Sequence, residues 1–306
     1  RAHTDQGSQS RLSPGPLMLS VASQRLVLQV SSASAFVGSL VVTTFFVAAL
    51  HLWKLLGYRD PHRDEPGTIQ RRAVSSILSC LFSGALILSR TEPDSDGSTI
   101  IVLLGLQTED LISSTFYCVS LTALLFFGPL VQHILEVSHG CASIVQIRMT
   151  WISLRNILLA PAAEEFVFRA CLVRLWCSAP VSLWVIVSCS PLCFALAHTH
   201  HFVEQLRNSG DKVVALKVIG FQVFYTSLFG TFSTFLLLRT GSTLAVIATH
   251  SFCNHMGFPD LSFLVSKRSL LFPYRKWIGG CYLVGIMTFS FLIVPMTSGF
   301  KFGFIR

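Results

Sequence analysis

Leu158-Leu159-Ala160-Pro161-Ala162-Ala163-Glu164-Glu165-Phe166-Val167-Phe168-Arg169 is an apolar run that carries two adjacent carboxylates and a guanidinium within six residues. What that mixture means depends on the chain around it. The chain has 306 residues, of which 52% are hydrophobic, 25 are Phe and only 12% are Asp, Glu, Lys or Arg. A soluble domain carries roughly 25% charged residues, and its surface needs polar cover that this composition does not supply. The mean hydropathy is +0.62. Collagen-like, coiled-coil and disordered chains are excluded by the same values. Lipid is therefore the solvent, and the expected fold is an all-α polytopic membrane protein.

A bilayer core of ~30 Å takes about 20 apolar residues per helix. Eight stretches approach that length: 32–53, 74–89, 111–131, 156–177, 179–197, 218–238, 242–258 and 277–298. The apolar run 100–106 is too short to cross alone. Lys54, Arg59, Arg63, Arg71 and Arg72 make the first loop basic, whereas Glu92, Asp94, Asp96, Glu109 and Asp110 make the next one acidic. The positive-inside bias puts the first loop in the cytoplasm. The net charge of +8 is spread thinly between apolar blocks, so no nucleic-acid partner is expected. Nine Cys, several inside apolar stretches and none in a C-x-x-C pair, read as buried thiols. Residues 1–31 lack the basic-then-apolar order of a signal peptide. With Arg1 at its head the chain reads as truncated, and a mobile tail is expected there. Residues 32–306 read as one transmembrane domain.

A carboxylate inside a span is a functional-site hypothesis by default, because lipid penalises charge. Glu165 and Arg169 are four apart and share a helix face in the order that favours an ion pair. Glu164 points about 100° away. One acid can thus be held by Arg169 while its neighbour stays available for chemistry. Pro161 suits a first helical turn or a kink; a helix beginning there would set both acids near its positive end. The plainer alternative is a Glu–Arg pair that only sets packing, which leaves the second Glu unexplained.

Two further segments break the apolar rule. Phe194-Ala195-Leu196-Ala197-His198-Thr199-His200-His201 ends the fifth stretch, with Phe194 and His198 on one face and Pro191 just before them. His is the natural proton carrier near neutral pH; the alternatives are an interfacial metal site or a polar helix end. His250-Ser251-Phe252-Cys253-Asn254 sets a His and an Asn on one face of the seventh stretch. That donor pair suits a developing oxyanion, or else glues two spans together. Three polar faces with no lipid-compatible place should converge. A carboxylate base, a His and an oxyanion clamp together suit hydrolysis of an amide by activated water.

These motifs resemble the CAAX-processing and bacteriocin-immunity family of intramembrane endopeptidases, in its type II CAAX prenyl endopeptidase branch. The resemblance is carried by Leu154-Arg155-Asn156, Ala160-Pro161, the block from Glu164 to Cys171, and Ala197 to His201. It continues through Glu204-Gln205-Leu206-Arg207, Phe221-Gln222, Tyr225-Thr226, Phe229-Gly230, Arg239-Thr240-Gly241 and His250 to Asn254. It covers 150–260, the expected catalytic core. The resemblance implies about eight helices around a conical cavity open to cytosol and lipid, in the endoplasmic reticulum membrane. It implies release of a tripeptide from farnesylated or geranylgeranylated CAAX proteins such as small GTPases, without metal or cofactor. By position, Glu164 and His198 would activate water, His250 and Asn254 would hold the oxyanion, and Glu165 and Arg169 would support the site. The rivals are a zinc protease, for which no H-E-x-x-H is present, a Cys nucleophile at Cys171, Cys193 or Cys253, a proton-coupled transporter, and a non-catalytic scaffold.

Overall fold

The computed structural model describes residues 30–58, 62–90, 100–140, 149–301 and 303. All but the last two residues of the expected tail lie outside them, as do Arg59, Glu92, Asp94, Asp96 and Cys141. The described residues form helices and connections, with no β-strand among them. The fold is an all-α polytopic membrane protein.

Helices α1 (Ser32–Leu55) and α2 (Pro66–Leu88) pack against each other. Ser75, Ser79 and Ser83 are all buried at four-residue spacing on α2, a small-residue seam that lets neighbouring helices approach closely. The single turn α3 (Ile100–Leu103) precedes α4 (Leu111–Leu125) and α5 (Phe127–Ser138), which bend by 71° where they meet. Residues 151–177 then form one unbroken helical run: α6 (Trp151–Leu154), a π stretch (Arg155–Leu159), α7 (Ala160–Glu165), a second π stretch (Phe166–Val173) and α8 (Arg174–Cys177). Next come α9 (Leu183–Ala197), a 3₁₀ turn (His198–His200), α10 (His201–Ser209), α11 (Lys212–Thr240), α12 (Thr243–Met256) and α13 (Arg275–Met296).

Local chemistry sets these boundaries. Asp211 Oδ1 accepts from the Val213 amide at 2.7 Å to open α11. Gly241, at φ +68°, closes it in the left-handed region that favours glycine. At Gly230 the requirement is space: a Cβ there would stand 2.9 Å from Pro191 Cβ and 3.3 Å from Arg169 Nη2. That bare position lets α11 lie against α9.

The core gathers on the C-terminal half of the 151–177 run. Val167 through Val173 are all buried, as are Arg174, Leu175 and Trp176. A helix enclosed all round is a central one, and α1, α2, α9, α11 and α12 surround it. Outward positions carry Ile112 at 87%, Trp184 at 80% and Phe291 at 76% exposure, as a lipid-facing surface requires.

Three sequence expectations shift. All eight apolar stretches are helical, but among the described residues five helices, or six counting the bent α4–α5 pair, are long and apolar enough to cross a bilayer. The run 151–177 carries Arg155, Glu164, Glu165, Arg169 and Arg174, and α12 has only 14 residues. The second helix starts at Pro66, so Arg71 and Arg72 sit on its early turns and not in a loop. No helix begins at Pro161, which lies inside the continuous run; the acids therefore gain nothing from a helix N-terminus.

Candidate active site

Glu164 and Glu165 are adjacent in sequence and differ sharply in surroundings. Glu165 has no exposed side-chain surface, and its Oε2 lies 3.2 Å from Arg169 Nε. Its Oε1 lies 2.7 Å from His250 Nδ1, joining residues 85 apart in the chain. Glu164 keeps 18% of its side chain exposed, with Oε2 3.9 Å from His250 Nε2. The imidazole thus stands between the two carboxylates. Donation of Nδ1–H to Glu165 fixes its tautomer, so Nε2 can donate only when the ring carries both protons.

Arg169 is almost wholly enclosed. Its guanidinium stacks over Phe194 at 4.3 Å and reaches the Phe229 ring at 5.7 Å. Among the described residues Nη1 and Nη2 have no hydrogen-bond acceptor, and ring faces meet this cation in their place. Phe194 is shared: its ring lies 4.7 Å from that of His198 and 6.4 Å from that of His250. His198 Nδ1 is 2.9 Å from the Phe194 carbonyl, which makes Nδ1 the donor and leaves a lone pair on Nε2.

Asn254 is held by a carbonyl that the helix has released. In the first π stretch the Ala160 amide bonds to Arg155 O. Pro161 has no N–H to give, so Asn156 O receives no hydrogen bond from the residue five positions on. Asn254 Nδ2 donates to it at 2.9 Å, which leaves the second N–H of that amide for another acceptor. Neighbouring Arg155 anchors the α1–α2 loop, with Nη1 2.8 Å from Asp64 Oδ1 and 3.0 Å from Arg63 O. The hydrogen bond from that guanidinium holds the Asp64 carboxyl below the usual carboxylate range.

Glu164, His198, His250 and Asn254 line one cavity of about 820 Å³; Glu165 and Arg169 stand behind its wall. Another part of the lining is aromatic and aliphatic: Phe126, Phe221, Leu228, Phe232, Phe258 and Phe289. His200 and His201 also line it, the latter 3.2 Å from Glu204. Among the described residues no three His, Cys, Asp or Glu side chains form a metal-holding group. The importance of Asn156 is not legible from sequence, because it acts through its backbone. Only the Ala160-Pro161 pair hints at a freed carbonyl.

The sequence profile of the type II CAAX prenyl endopeptidase Rce1-like family matches residues 146–256. A human protein named CAAX prenyl protease 2 is 32% identical over 273 residues, covering 84% of this chain and 79% of the human one. The chain belongs to the type II CAAX prenyl endopeptidase family. A CAAX prenyl protease 2 of Arabidopsis thaliana is 28% identical over 248 residues, 74% of this chain and 76% of its own. A probable CAAX prenyl protease 2 of Schizosaccharomyces pombe is 27% identical over 260 residues, 82% and 89%. No solved structure matches. As a type II CAAX prenyl endopeptidase the chain is a protease, and the matched stretch contains α7, α9, α12 and all six candidate residues.

Proposed function

We propose that this family member removes the C-terminal tripeptide of prenylated CAAX proteins, small GTPases among them, at the endoplasmic reticulum membrane from a cavity open to the cytosol. Residues 32–306 act as one transmembrane unit with its catalytic core at 150–260. The observation that carries this is the single cavity shared by Glu164, His198, His250 and Asn254. Its aromatic lining suits a prenyl chain, and its polar residues suit the peptide bond beside it.

In this mechanism a water lies between Glu164 and the His198 Nε2 lone pair. Glu164 takes the proton as the oxygen attacks the carbonyl carbon after the prenylated Cys. Charge develops on the carbonyl oxygen and meets Nε2–H of His250 and the second N–H of Asn254. Glu165 holds the His250 ring by Nδ1 and offsets the charge of its doubly protonated form. The proton on Glu164 then passes to the leaving nitrogen, the C–N bond breaks and the tripeptide departs.

Purified protein incubated with farnesylated and unprenylated CAAX peptides, followed by mass spectrometry, tests this directly. Loss of three residues from the prenylated peptide alone is expected. Glu164→Gln should abolish the cut, because an amide accepts no proton. Full activity in Glu164→Gln would falsify the base assignment, and no cleavage by the wild type overturns the function.

A further inference from the structure

His250 stands between two carboxylates, and a ring from α11 packs against it as well. Its Nδ1 lies 2.7 Å from Glu165 Oε1. A hydrogen bond tolerates a wide range of angles, so that contact alone leaves the imidazole some swing, which carries Nε2 toward or away from the cavity. Phe229 limits the swing. Its ring centroid lies 4.6 Å from that of His250, at 53°, whereas Phe194 stands off at 6.4 Å. The same Phe229 ring is 5.7 Å from the Arg169 guanidinium, and it lines the cavity together with Glu164 and His250. Phe221, Tyr225 and Phe229 recur at four-residue spacing along one face of α11. The first two meet Phe258, and the third meets His250. The bare Gly230 beside it, where a Cβ would crowd Pro191 and Arg169, lets α11 come close enough for that contact.

We propose that Phe229 is a positioning residue for the oxyanion site: its ring, packed on the His250 imidazole, keeps Nε2 turned into the cavity and favours the charged ring that donates there. The inference deepens the hydrolytic function proposed above and rests on it. With Nδ1–H given to Glu165, donation from Nε2 requires both protons on the imidazole. A cation within about 6 Å of an aromatic centroid is attracted by the ring quadrupole. Arg169 and His250 thus share one carboxylate, Glu165, and one π face, Phe229. A leucine would fill much of the same space without offering that face. Charge appears on the carbonyl oxygen only as the new bond forms, so the benefit falls on the transition state and not on bound substrate.

The test measures kcat and KM separately on farnesylated and geranylgeranylated CAAX peptides, for the wild type, Phe229→Leu and Phe229→Tyr. Thermal midpoints in the same detergent separate lost positioning from lost folding. Phe229→Leu should lower kcat about 3- to 30-fold, by the same factor for both prenyl groups. KM should stay within about twofold of the wild type, because ground-state binding is untouched. Phe229→Tyr keeps the aromatic face and should retain most of kcat. Phe229→Met, apolar and adaptable in shape, supplies the same comparison if the Leu variant does not fold. An unchanged kcat in the folded Leu or Met variant overturns the role, and so does a Tyr variant that falls as far as Leu. A loss carried by KM, or larger for one prenyl group than the other, also overturns it, since Phe229 would then be part of the prenyl wall. A wild type that cuts neither peptide overturns the proposed function itself, whereas failure of the Phe229 role leaves wild-type cleavage in place.

Discussion

Two glutamates side by side share every intrinsic property, and their burial separates them. Glu165 is sealed with Arg169 and His250, while Glu164 faces the cavity. Their substitution should therefore give different signatures. Glu165→Ala leaves a buried guanidinium uncompensated, a loss of about 3–5 kcal/mol that thermal unfolding in detergent should report as a large drop in midpoint. Glu164→Gln should unfold close to the wild type while losing cleavage. Equal midpoints for the Glu165 variant and the wild type would contradict the buried network. The divergence in direction was legible in the sequence, because helical geometry separates neighbours by about 100°. The bond from Glu165 to His250 was not. It joins α7 to α12 across 85 residues, and only packing brings those helices together.

At the scale of elements, the two π stretches matter more than any helix end. π segments are short departures within α-helices and are frequent at functional sites; here they flank the six residues of α7. Pro161 follows the first of them and leaves the Asn156 carbonyl to Asn254. Pro161→Ala restores an N–H that competes for that carbonyl. Cleavage should fall by up to about 10²–10³-fold, the loss typical of one oxyanion donor, while thermal stability holds or rises because Ala is the better helix former. An unchanged rate would show that Asn254 needs no such hold. The sequence marked Pro161 as special and suggested a helix start. Hydropathy and motif spacing are blind to π turns, since an extra residue per turn leaves apolar composition unchanged, so the continuous run came only from the fold.

For the whole molecule, composition was decisive for class and weak for count. Leucine, phenylalanine and scarce charge specify lipid as solvent. Among the described residues five or six helices meet the length and hydropathy of a span, because the elements that carry chemistry are the ones that break the apolar pattern. The positive-inside bias still yields an orientation to measure. A long acceptor loop for N-glycosylation inserted near Asp94 should be modified in microsomes, whereas one inserted near Arg63 should not. The reverse pattern would turn the molecule over and close the cavity to cytosolic proteins.

The cavity joins rings such as Phe221 and Phe258 to guanidinium groups within one enclosure. With both apolar rings and cations in its lining, it matches the chemistry of a soap. Long-chain fatty-acid anions should then compete with the natural substrate, raising KM and leaving kcat alone, whereas the matching fatty alcohols should be much weaker competitors. Anionic surfactants would on the same ground be poor media in which to assay the enzyme.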